Sequence, residues 1–89
     1  MLQHYEQALE HWLAEIVANG DDDALFASGY LQGHFAVVLA ELEMEAEQGT
    51  DALAAKMQEC LKQAAKELED PDYRLVENAW HELQGRIGA

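Results

Sequence analysis

Four stretches of the chain repeat apolar residues at spacings of three and four, with short polar or glycine-bearing breaks between them. That period is one face of an amphipathic helix, so the pattern predicts four helices. The first runs from Leu2 to about Ala18, with Leu2, Tyr5, Leu9, Trp12 and Ile16 as its stripe and Leu13 and Val17 widening it. Asn19-Gly20 then ends it, since glycine is favoured just past a helix C-terminus, where it takes a positive φ without a Cβ clash.

The second helix is expected over Asp22 to Glu47 and is the longest. It carries two apolar stripes: Leu31, Phe35, Val38 and Leu42 on one, and Phe26, Tyr30, Val37 and Met44 on the other. A helix apolar over most of its circumference is buried by several partners. The expected exposed seam is therefore narrow: His34, Glu41 and Glu45, with Tyr30 at its margin. Gly29 and Gly33 lie inside this helix, where each costs about 1 kcal/mol relative to alanine. With Ala36 and Ala40 they form a strip of small side chains. If the first helix folds back antiparallel, Trp12 falls near Gly29 and Tyr5 near Ala36, so the strip reads as a groove for the first helix. The alternative is a break at Ser28-Gly29.

The third helix is expected over Asp51 to Leu68, capped by Thr50, with Leu53, Met57, Cys60, Leu61, Ala64 and Leu68 inward. Asp70-Pro71 is a helix-start signal, and the fourth helix runs from Pro71 to about Gln84 on the stripe of Tyr73, Val76, Trp80, Leu83 and Ile87, with Leu75 and Ala79 beside it. Connections this short join antiparallel neighbours. The expected fold is an all-α, four-helix antiparallel (up-down-up-down) bundle with a long central second helix, one domain over residues 1–89. A three-helix packing with one terminal helix draped across it is the competing arrangement.

Charge narrows the partners. Eighteen acidic residues against five basic ones give a formal net charge of −13. Such a surface repels phosphate backbones and anionic lipid, so neither direct nucleic-acid binding nor membrane association is expected, whereas a basic protein is attracted. No run of about 18 apolar residues exists to span a bilayer. The N-terminal MLQHYEQALEHWL lacks the basic and apolar regions of a signal peptide, and a lone cysteine fits a reducing compartment. The expectation is a cytoplasmic protein.

The candidate chemistry thins on inspection. Asp21, Asp22 and Asp23 invite a metal reading, but a calcium loop needs ligands at alternating positions and a terminal glutamate, which Ala24, Leu25 and Phe26 do not supply. A helix cap followed by acids at the positive end of the dipole accounts for all three. The four carboxylates Glu41, Glu43, Glu45 and Glu47 oppose that dipole at the other end, and Lys56 is placed to compensate. Di-iron bundles use Glu-x-x-His, and no glutamate here has a histidine three residues later. Cys60 shares an apolar face and reads as a buried, inert thiol. Ser28 has no sequence cue for a base or an oxyanion hole.

The stretch DDDALFASGYLQGHFAVVLAELE, Asp21 to Glu43, resembles the YfcL family of small bacterial proteins, and LVENAWHEL, Leu75 to Leu83, is similar to that family's closing segment. The resemblance implies a bacterial origin and a helical domain. The family has no assigned activity, cofactor or catalytic residue, so no site is carried over. The functional expectation is a non-enzymatic protein–protein interaction module without a cofactor. Its partner would be a basic protein or a second copy of the chain, and its candidate surface is the seam of Tyr30, His34, Glu41 and Glu45. Two alternatives stand beside it. One is a nucleic-acid mimic filling a basic groove, which needs carboxylates in regular rows; these four alternate around a helix. The other is a small-ligand or metal binder in the bundle interior, where the named positions are apolar.

Overall fold

A computed structural model describes residues 2–88, and these form four helices with no strand among them: α1 (Leu2–Asn19), α2 (Asp22–Glu43), α3 (Thr50–Glu67) and α4 (Asp70–Gly88). The class is all-α, and α2 is the longest element, as its pattern requires. α2 and α4 form the closest pair. α1 and α3 each pack on both of them and do not approach one another. The section is thus a flattened rhombus rather than a square, and the contacts are compatible with up-down-up-down alternation.

The centres of the inward stripes are those the spacing picks out. At their edges Leu2, Leu13, Ile16, Cys60, Leu68 and Tyr73 are only half-buried, and Val17, expected to widen the α1 stripe, is 76% exposed. Tyr5, Leu9 and Trp12 are buried from α1, Leu53, Met57, Leu61 and Ala64 from α3, and Val76, Ala79, Trp80, Leu83 and Ile87 from α4. Polar tips of inward residues find partners at the core edge. The Tyr5 hydroxyl donates to the Gln48 carbonyl at 2.8 Å, and the Trp12 indole N–H donates to Glu82 Oε1 at 2.9 Å. The Trp80 indole N–H is buried with no acceptor among the described residues.

The connections follow the local chemistry. Asp21 Oδ1 accepts from the Ala24 N–H at 2.9 Å, the capping role expected of the aspartate run, with Asp22 and Asp23 in the first turn. Gly20 is needed for a different reason from the one expected. No described residue has a positive φ. Instead, a Cβ at Gly20 would sit 2.6 Å from the Ile16 carbonyl oxygen, and the Gly20 N–H donates to that oxygen at 2.7 Å.

Three boundaries shift. α2 stops at Glu43 rather than Glu47. Its last N–H groups tighten to i→i+3 bonds, Met44 to Glu41 and Glu45 to Leu42, and the Gln48 amide donates to the Leu42 and Glu45 carbonyls at 3.0 and 3.3 Å. A side chain thus closes the helix end that its own carboxylates oppose. Gly49, not Thr50, holds the N-cap of α3, without a side-chain bond. α4 continues past Gln84 to Gly88 because Ile87 is buried and its carbonyl accepts from His4 Nε2 at 2.9 Å.

Candidate interaction surface on the second helix

α2 is continuous through Ser28-Gly29, so one helix presents all of its faces in fixed register. Its core face is the stripe of Leu31, Phe35, Val38 and Leu42, together with Ala27, Ser28 and Leu39. The Ser28 hydroxyl is satisfied locally by the Leu25 carbonyl at 3.2 Å, so burial leaves no demand on a ligand.

The other apolar stripe is not in the core. Phe26 is 40% exposed, Val37 56% and Met44 87%, with Leu25 beside them at 45%. The strip of small residues expected to seat α1 lies on this same outer face. Gly29, Gly33, Ala36 and Ala40 are all exposed, and a Cβ added at Gly29 or Gly33 would meet nothing within 4 Å. α1 packs elsewhere on α2, so Trp12 does not lie in a glycine groove. The physical reason is partner number. Two apolar stripes need partners on both sides, and α1, α3 and α4 all gather on the side of Leu31 and Phe35.

The four seam residues lie together along the boundary of α2 with α3. The Tyr30 hydroxyl donates to Glu67 Oε2 at 2.8 Å, and its ring stands 5.0 Å from that of His34. Lys56 bridges Glu41 at 3.2 Å and Glu45 at 2.6 Å. Electrostatics follow these pairings. The Tyr30 phenol is pushed up to about 12 by burial and then by the neighbouring Glu67 carboxylate. Glu67 is held below the usual carboxylate range by hydrogen bonds from Gln63 and Tyr30. The Lys56 ammonium is raised by its bonds to Glu45 and Glu41, and the Cys60 thiol by burial and then by Glu41 and Glu59. The seam is a set of polar fasteners between α2 and α3, with three of its four residues engaged in the bonds just named.

The histidines and carboxylates do not assemble a centre. Among the described residues no three His, Cys, Asp or Glu side chains are grouped as metal ligands. Glu15 pairs with Arg86 rather than His11, and Glu77 accepts from Tyr73 rather than meeting His81. No helix among the described residues is long and apolar enough to cross a membrane. The concavities are open clefts. One of about 260 Å³ lies beside Trp12, Asp23 and Leu75, and one of about 460 Å³ runs between α1 and α2 along Leu9, Ala36 and Ala40. The second continues the outer face of α2 sideways.

The residues missed as surface are thus Phe26, Gly29, Gly33, Val37 and Met44. A signal was present: an 89-residue chain with three other helices has too few partners to bury both stripes of α2.

Comparison with known proteins gives a consistent result. A family model described as "YfcL protein" matches residues 3–85. A relative from Escherichia coli (strain K12), named "Uncharacterized protein YfcL", is 34% identical over 85 residues, covering 93% of this chain and 92% of its own length. No solved structure matches.

Proposed function

The chain belongs to the YfcL family, and from that premise we propose that it is a non-enzymatic protein-interaction module that docks through the outer face of α2. One observation carries this reading. From Ala24 to Ala40, α2 has no Asp, Glu, Lys or Arg, although 26% of the chain is charged, and its large side chains on that stretch include the exposed Phe26 and Val37. Exposed apolar surface rimmed by charge is a usual mark of an interaction site. The glycines support the same reading. Inside an exposed helix they weaken it, and among the described residues nothing approaches closely enough to require them. A backbone stripped of side chains admits a partner helix at short range.

The seam of Tyr30, His34, Glu41 and Glu45 is the weaker docking candidate, because a partner there would have to displace the Glu67 and Lys56 contacts. In this reading the seam fixes the orientation of α2 and the −13 charge discourages nucleic acid and anionic membrane.

A photo-crosslinking residue placed at Val37 in living cells tests the reading, with the same residue at the exposed Glu10 of α1 as the control. Discrete protein adducts from position 37 that are absent from position 10 are expected. Equal or absent adduct formation at the two positions overturns the outer face as a docking surface.

A further inference from the structure

Resting on that reading, we infer that the outer face of α2 binds the same face of a second copy of this chain, antiparallel, about a two-fold axis at Gly33. The register of the residues along α2 supports this pairing. Gly33 stands near the middle of α2, which runs from Asp22 to Glu43. A two-fold axis there places every residue opposite its mirror position in number. Phe26 then faces Ala40 of the second copy and Gly29 faces Val37. Phe26 and Val37 thus each meet a small residue, and Gly33 meets itself where the helices cross most closely. Towards the ends Leu25 comes opposite Glu41 and Met44 opposite Asp22 of the second copy. An isologous interface needs a patch complementary to itself, and this face meets that condition over its central stretch from Phe26 to Ala40.

Area allows it at the limit. The exposures of Leu25, Phe26, Val37 and Met44, with the small residues between them, leave a mostly apolar face of roughly 600 Å². Complete cover of that face on both copies would remove at most about 1,200 Å², which just reaches the lower bound for a stable interface. Charge permits it too. The middle of the face carries no ionised side chain, so two strongly acidic chains can meet here without stacking carboxylates at the centre. The antiparallel order sets the positive end of each helix dipole beside the negative end of the other. At the rim, the same register brings Asp23 alongside Glu43 of the second copy. Those like charges, and the −13 of each chain, weaken the pair at low ionic strength and are screened by salt.

Sedimentation across a dilution series, at low and at high salt, reads this directly. The chain is expected to approach twice its 10.0 kDa mass at the concentrated end, with tighter association in high salt. Gly33→Glu is expected to weaken association on the order of tenfold or more, since it sets two carboxylates against each other at the crossing point. Because the position is open in the single chain, its helical circular dichroism should match the parent, which excludes unfolding as the cause. His34→Ala is expected to leave association unchanged. A chain that stays at 10.0 kDa throughout, or one whose dimer survives Gly33→Glu, overturns the inference. The crosslinking result separates the two levels: adducts at Val37 with other proteins only would retain the docking face and remove self-pairing.

Discussion

The two kinds of glycine in this chain make opposite predictions for one substitution. At Gly33, alanine adds a Cβ into open space on an exposed helix, with nothing within 4 Å. The change removes the conformational freedom of a helical glycine and should stabilise the single chain by about 1 kcal/mol. For a domain of this size that is a rise in Tm of roughly 4–8 °C. Gly29→Ala should behave alike. At Gly20 the added Cβ would lie 2.6 Å from the Ile16 carbonyl oxygen and 3.1 Å from the Ala24 Cβ. Backbone on one side and a helix start on the other leave little room to relax, so Gly20→Ala should destabilise by roughly 1–3 kcal/mol. The assay is thermal and urea unfolding followed at the helical circular-dichroism band, at high dilution so that association does not contribute. A neutral or destabilising Gly33→Ala would refute the exposed placement of that face. A harmless Gly20→Ala would refute the steric account of the first connection.

Other expectations follow from particular contacts. Trp12→Phe and Trp80→Phe remove the same ring atoms, but only Trp12 also loses a hydrogen bond; its variant should be the less stable by roughly 1–3 kcal/mol in urea titrations, and equal losses would contradict the assigned bonding. Lys56→Gln should lower Tm at low salt, leaving Glu41 and Glu45 unpaired near the C-terminus of α2, and the deficit should shrink as salt is added; a salt-independent deficit would point to packing instead. Tyr30 should ionise at about 12, and Glu67→Gln should bring that titration down in phenolate absorbance; because the folded value lies above the ordinary 10.0, stability should fall as pH rises from about 10 to about 12, and a flat alkaline limb would count against the Tyr30–Glu67 bond. Cys60 should react with a thiol reagent more slowly in the folded chain than in urea, and faster folded-state reaction would be incompatible with its raised thiol.

Much of the fold is legible in the residues themselves. The connections announce their positions because Asp21 must cap a helix, Pro71 fits only a first turn, and Gly20 excludes a side chain. The inward stripes of α1, α3 and α4 are each single, so period alone selects the buried face. α2 is the exception. Leu31/Phe35 and Phe26/Val37 are both apolar at helical spacing, and choosing between them depends on where three other helices pack, which is not a local property. The same limit explains the glycines, whose spacing marks a close approach without saying from which side or from which molecule. The seam is legible as a polar strip, and so is the compensation of Glu41 and Glu45 by Lys56. The Tyr30–Glu67 bond spans 37 positions and needs the packed pair of α2 and α3 to exist at all. The end of α2 at Glu43 hinges on the Gln48 amide reaching back over six residues, a contact no period reveals.

The most direct test is of whether α2 meets a second copy of the chain on the outer face and not on the seam. Backbone amide spectra recorded from millimolar to micromolar concentration in high salt address it residue by residue. The account predicts that Phe26, Gly29, Gly33 and Val37 shift with concentration while Gln7 of α1 and Lys62 of α3 stay fixed. Shifts centred instead on Tyr30, His34, Glu41 and Glu45, or no shifts at any concentration, would contradict it.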